Sequence, residues 1–387
     1  MTVDGRVAFI IDELGGGGAQ RSAVLTASAL HAQGLMTLLV AARAGPYMRD
    51  LARGLPLRVI APSWPSPTAV LRLILGLRRL AASEEVATYV TNGFAPSRIA
   101  LLMRLLRMLR GASVVIVERN TLSAALADRF PNRFVRSGVW ALSYWLYRHA
   151  DAIIGVSDGV PRDLEETLRL PEGTVTTIYN PVDIDRITAA IEDRVPEALA
   201  RTFASLPRPV VITTGRLVTR KAHDGLLEAF ATLPDTWRGR RGSLVTLGDG
   251  PLRDDIERQA RELGIDARIW MPGFVDNPWW FMARSDVFVL SSRNEGHPRV
   301  LLEALACGLP VISTDCPSGP REILRDVPSA RLVPVGDTRA MSHEIATLLD
   351  KPRPSRSVDL SAYAPSEVAR AYARVLSKVA PSHETRA

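Results

Sequence analysis

The chain has 387 residues, 47% of them hydrophobic and 23% charged, with a formal net charge of +7. That length can bury two hydrophobic cores, and the composition excludes a chain disordered over long stretches. Most of the charge falls in residues 1–180, where 20 arginines face 14 acidic residues and lysine is absent; nucleic acid, an anionic membrane or an acidic substrate would each account for it.

The first predicted strand is VAFIID (7–12). Asp4 precedes it where a secretory leader would be basic, and no run approaches roughly eighteen apolar residues, so neither leader nor membrane span is expected. LGGGGAQR (14–21) then opens a helix. Consecutive glycines let the backbone bend sharply and approach a ligand, and the helix start favours an anion. The segment fits no register of the dinucleotide fingerprint and lacks the ending of a P-loop, so a tight turn with no ligand explains it equally well. The helix closes at Gly34. TLLVAAR (37–43), ATYVTN (87–92), SVVIVE (113–118) and DAIIGVS (151–157) continue as buried parallel strands between helices. Two of the intervening segments, 67–82 and 97–111, are rich in Leu and Arg. In the second, Arg104, Arg107 and Arg110 recur at helical spacing, which predicts a cationic amphipathic helix for a membrane surface or one covering the sheet with its arginines in solvent.

The pattern restarts with PVVITTG (209–215), SLVTLGDG (243–250), ARIWMPG (267–273), DVFVLSS (286–292), PVISTD (310–315) and ARLVPVG (330–336). Two strand–helix series predict an α/β chain of two Rossmann-like, doubly wound domains facing across a cleft, residues 1–182 and 183–363. Ligands are expected beyond the carboxyl ends of the strands. A helix over about 364–380 follows, and the tail 381–387 is expected to fray. Cys307 and Cys316 form neither a zinc site nor a disulfide scaffold, which points to a reducing, cytoplasmic setting.

TGRLVTRK (214–221) lies at the tip of the second domain's first strand. Arg216 and Lys221 there can straddle a diphosphate. The chain uses 45 arginines and only three lysines, so a lysine at this point suggests a compact point charge. NEGHPRVLLE (294–303) reads as strand tip, loop and helix start, with Pro298 in the first turn. The amides of Arg299, Val300 and Leu301 are then donors for a phosphate. Glu295 and Glu303 instead suit hydroxyls, such as those of a ribose or a sugar. A carboxylate inside LLEALA either faces a cleft or is buried with a partner.

EGHPRVLLEALACGLPVISTDCPSGPREI closely resembles the glutamate–seven–glutamate region of family 4 glycosyltransferases. LGGGGAQRS, GRLVTRK, LGDGP (247–251) and MPGFV (271–275) resemble further blocks of that family in its own order. The resemblance implies the GT-B architecture, with the acceptor taken mainly by the first domain, the nucleotide-sugar by the second, and the last helix packed back on the first. It implies that Glu295 binds sugar hydroxyls, Glu303 the ribose, and Arg216 and Lys221 the diphosphate of the departing nucleotide. The amides of 299–301 assist them. Gly17 and Gly18 approach the donor phosphate, and Phe274 borders the base. Gly296 and His297 line the same loop. Transfer is implied to be retaining and to need no metal or other cofactor.

Two positions depart from the family pattern. Glu118, followed by Arg119, stands where many members have His, and would act as acceptor, base or structural ion pair. His297 stands where Phe is frequent. The expected partners are a nucleotide-sugar, UDP before GDP, a glycan or polyprenyl-linked acceptor in surface polysaccharide assembly, and the inner face of the cytoplasmic membrane through 67–82 and 97–111. A nucleotide-sugar epimerase of the same fold is the alternative enzyme. A basic nucleic-acid-binding protein is the non-enzymatic one, and with aromatics at 6% and no recognised module no nucleic acid is expected.

Overall fold

The structure is a computed structural model that describes every residue except 1–4, 14–16, 44–53, 61–65, 84–85, 110, 234–241, 352–357 and 381–387. Part of the glycine turn, Arg110 and the tail therefore lie outside the described residues. The chain divides into two units, Met1–Val182 with Ser361–Ala387, and Asp183–Leu360.

The first unit holds a seven-stranded sheet of β1 (Arg6–Glu13), β2 (Thr37–Arg43), β3 (Leu57–Val59), β4 (Val86–Asn92), β5 (Ser113–Glu118), β6 (Ala152–Gly155) and β7 (Val175–Thr177). The spatial order is β3-β2-β1-β4-β5-β6-β7, every pairing parallel, with Ile10 opposite Val40 on one side and Thr91 on the other. Helices cover both faces, so β1, β4 and β5 are buried in unbroken runs rather than alternating; Phe9, Ile10, Tyr89 and Val115 are wholly buried. The helix Pro365–Val379 packs here too. Its Val368, Tyr372 and Leu376 join the core, the Tyr372 ring lies 6.2 Å from Phe9, and Gln33 Nε2 donates to the Ser366 carbonyl at 3.0 Å.

One expected element differs. The helix predicted over 97–111 is Phe94–Leu105, because the chain turns at Arg107, a non-glycine residue with φ +55°. The Arg107 and Met108 amides close that turn on the carbonyls of Arg104 and Met103. Arg104 pairs with Asp151 at 2.7 Å and donates to the His149 carbonyl. The expected stripe of arginines on one helix is therefore not formed by the described residues.

The second unit holds β8 (Val210–Thr214), β9 (Ser243–Leu247), β10 (Ile269–Gly273), β11 (Val287–Leu290), β12 (Val311–Thr314) and β13 (Ala330–Val333), in the order β10-β9-β8-β11-β12-β13 and again parallel. Leu226, Phe230, Ile312 and Ile345 lie in its core. Each sheet has one place where the strand order reverses, β1/β4 and β8/β11. Connections leave such a pair to opposite sides and open a crevice at the strand tips.

Candidate functional site

At the β8/β11 reversal the two emerging loops are stitched together. The Arg293 amide donates to the Arg220 carbonyl at 2.8 Å, Ser291 Oγ to the Lys221 carbonyl at 2.9 Å, and Arg293 Nη1 to the Thr219 carbonyl at 2.7 Å. The tip of β9 supports this loop from beneath. Gly215 N donates to the Leu247 carbonyl and Leu217 N to the Asp249 carbonyl, at 2.9 and 3.0 Å. A Cβ on Gly248 would stand 2.0 Å from the Gly215 oxygen, and one on Gly250 2.4 Å from that of Leu217. No side chain fits at either position.

This frame delivers Lys221 to Glu295. Lys221 Nζ lies 2.5 Å from Glu295 Oε1, and Ser292 Oγ donates to the same oxygen at 2.6 Å. Burial by itself raises the Glu295 carboxyl, but the Lys221 charge, the hydrogen bonds from Lys221 and Ser292 and the charge of Arg220 outweigh it and hold the group below the usual carboxylate range. Glu295 is thus an ionised, buried acceptor, and Pro298 caps the helix Arg299–Ala306 without a side-chain bond. His223, two residues past Lys221, is held neutral by burial first and the Lys221 charge second, its pKa lowered to about 4. Burial and then the Glu295 charge push the Cys316 thiol up to about 12, so it is unreactive at neutral pH.

Glu303 pairs with Arg299 one helical turn back, Nη2 to Oε1 3.1 Å, both side chains buried. Gly296 and His297 are buried in the loop between the two glutamates, and Ser318 Oγ donates to the Gly296 carbonyl at 3.0 Å. Val300 is half-buried on the first turn. Leu301 corrects an expectation. Its amide donates to the Pro298 carbonyl at 3.0 Å because the first turn is tight, so it is engaged within the protein rather than presented to a phosphate. Arg216 is exposed beyond β8. Phe274 is exposed beyond β10. Among the described residues no group of three or more His, Cys, Asp or Glu is placed to hold a metal ion.

The first unit carries the remaining candidates. Gly17 caps the helix Gly18–Ala32 and would bring a Cβ to 2.3 Å from Gln20 Oε1, whereas a Cβ on Gly18 would meet nothing within 4 Å. Gln20 reaches Asp12 Oδ1 at the β1 tip at 3.3 Å. Glu118 ends β5, accepts a hydrogen bond from Tyr147 Oη and feels the charge of Arg98. Burial dominates these and raises its pKa. The pair with the neighbourhood of Arg119 is not formed. Arg119 turns away to Asn92 Oδ1, 2.6 Å from Nη2, and to Asn180 Oδ1. Sequence reading missed Asp12, Asn92, Arg98, Asn180 and Ser292. Three of these stand at or just past strand ends, as in ATYVTN and DVFVLSS, and that position was the available signal.

Residues 16–186 match the family described as Glycosyltransferase Family 4, and residues 196–367 match Glycosyl transferases group 1. The chain belongs to the family 4 glycosyltransferases. It is 29% identical over 295 residues, 74% of its length and 75% of the relative's, to an N-acetylgalactosamine-N,N'-diacetylbacillosaminyl-diphospho-undecaprenol 4-alpha-N-acetylgalactosaminyltransferase of Campylobacter jejuni. It is 33% identical to the lipopolysaccharide core biosynthesis glycosyltransferase LpsE of Rhizobium meliloti, over 54% of this chain and 56% of that one. Its fold is shared with HepE of Anabaena, solved with UDP and glucose, at a TM-score of 0.70 and 17% identity over 99% of this chain and 97% of that one. The doubly wound pair of sheets in this glycosyltransferase is accordingly the GT-B fold. None of its described helices is long and apolar enough to cross a membrane.

Proposed function

We propose that this glycosyltransferase moves a hexosyl or N-acetylhexosaminyl group, with retention, from a nucleotide-diphosphate sugar to a glycan or polyprenyl-linked acceptor in bacterial surface polysaccharide assembly. UDP is preferred to GDP, and the protein works at the inner face of the cytoplasmic membrane. The observation that carries the reading is the Lys221–Glu295 pair at the β8/β11 reversal. The names of the Campylobacter and Rhizobium relatives support the acceptor class, and the UDP held by HepE supports the nucleotide.

In this reading Lys221 exchanges Glu295 for the donor's diphosphate, and Arg216 approaches the same charge from solvent. Glu295, still held by Ser292, then accepts hydrogen bonds from the sugar. Glu303, held by Arg299, accepts from the ribose, and Phe274 borders the base. The amides of Arg299 and Val300 serve the phosphate. Cationic neutralisation of the departing nucleotide, with the acceptor aligned on the face it leaves, supplies the rate without a metal. Glu118, bound to Tyr147, positions the tip of β5.

Calorimetric titration with UDP, GDP and ADP tests the donor site. UDP is expected to bind, and Lys221→Ala to weaken it by about ten- to a hundred-fold, as for a lost charge-assisted hydrogen bond. Glu303→Gln is the companion variant, because Glu303→Ala would take a carboxylate partner from the buried Arg299 and mix a loss of stability with the loss of binding. If the folded protein binds none of the three nucleotides, the assignment is wrong.

A further inference from the structure

The helix Arg133–Tyr147 turns Ser143, Leu146 and Tyr147 inward, and Arg98 reaches Ser143 Oγ from the neighbouring helix at 2.7 Å. At helical spacing the opposite stripe is Phe134, Val135, Gly138, Ala141, Leu142 and Trp145. That stripe faces solvent, with Phe134 79%, Val135 49%, Leu142 48% and Trp145 49% exposed. A helix that covers a sheet ordinarily presents polar residues outward, whereas this one is apolar on its outer side as well. From Arg129 to Ala150 the sequence contains four arginines and no acidic residue; the nearest acids, Asp128 and Asp151, lie before and after it, and Asp151 is paired with Arg104. Arg133 is exposed at the start of the helix, and Arg129 is exposed at the end of the helix before it, Leu122–Arg129. The neighbouring helix Phe94–Leu105 adds exposed Leu102, with Leu106 just past its end.

We infer that this face lies in the headgroup–acyl boundary of an anionic lipid bilayer. The helix runs parallel to the surface, Phe134 and Trp145 enter the apolar zone, and the arginines meet lipid phosphates. Charge selects the occupant. A second copy of the chain would present the same arginine rim to itself across a two-fold axis, and like charges repel there, whereas an anionic surface complements it. This rests on the proposed lipid-linked acceptor and deepens it, adding the helix Arg133–Tyr147 to the membrane contact expected through 67–82 and 97–111.

Sedimentation of the full chain with vesicles tests the inference without any sugar transfer, so its failure is separate from failure of the donor site. The protein is expected to sediment with phosphatidylcholine vesicles containing phosphatidylglycerol and not with phosphatidylcholine alone. The double variant Phe134→Glu, Trp145→Glu should lose about ten-fold or more in partitioning at an unchanged melting temperature. Trp145→Phe should keep binding but lose most of the quenching of tryptophan emission by brominated lipid. A wild-type protein that ignores anionic vesicles, or a double variant that binds them equally well, overturns the inference. So does a wild-type dimer that the double variant converts to monomer, since the face is then a self-interface.

Discussion

Glu118 and Glu295 are both buried carboxylates at strand tips, yet their surroundings push them in opposite directions. Glu295 has Lys221 at 2.5 Å, and the charge wins over burial. Glu118 has a phenol as its direct partner, with Arg98 acting through its charge, and burial wins. A carboxyl raised in the folded state binds its proton more tightly there than in the unfolded chain. Its contribution to stability is therefore complete below the unfolded value near 4.5 and is lost as pH rises through the folded one. Glu118→Gln removes that dependence. Its melting temperature should equal the wild type's in acid and exceed or match it at pH 7, read by thermal scans across pH. A variant that melts lower at pH 7 than in acid, relative to wild type, would show that Glu118 is held ionised. The carboxyl's partner was not legible in the chain, because Tyr147 lies 29 positions on and reaches it only once its helix has packed on the sheet.

The loops at the tips of β8, β9 and β10 act together, since the Gly248 amide donates to the Gly273 carbonyl at 2.8 Å while its α-carbon abuts Gly215. Gly248 has φ +132°, outside the range of ordinary residues. Gly248→Ala therefore combines strain with a backbone clash, and about 1–3 kcal/mol or more of stability should be lost. Nucleotide affinity should fall with it, since the clash moves the segment that carries Lys221; denaturant titration and calorimetry read the two effects. The strands themselves were readable as short β-branched runs, and β2 and β5 occupy the segments marked from sequence. β3 and β7 were not, because three residues at a half-exposed edge have neither the length nor the alternation to stand out. The early end of Phe94–Leu105 was hidden for a different reason. Arg107 takes a left-handed conformation without the glycine that usually announces one. The separate marks at Lys221 and Glu295 were visible, but their contact spans 74 positions and exists only because β11 lies beside β8.

At the scale of the molecule, the first unit is completed by a segment that follows the second in sequence. Tyr372 is its largest buried side chain, packed against Phe9. Tyr372→Ala should cost about 3–5 kcal/mol, as for a large aromatic removed from a core. The loss should register as faster hydrogen exchange in β1 and β4, with amides of β8 and β11 unchanged; equal loosening of both sheets would mean that the units do not unfold separately. The same discontinuity orders the birth of the protein. A ribosome delivers β1 first, but the surface that Tyr372 and Leu376 cover stays open until the later helix has left the exit tunnel. The contiguous unit Asp183–Leu360 has all its strands in hand before then, so it is the one that folds first during synthesis. The opening residues wait longest, and their bare apolar face over that interval is where a chaperone would be needed.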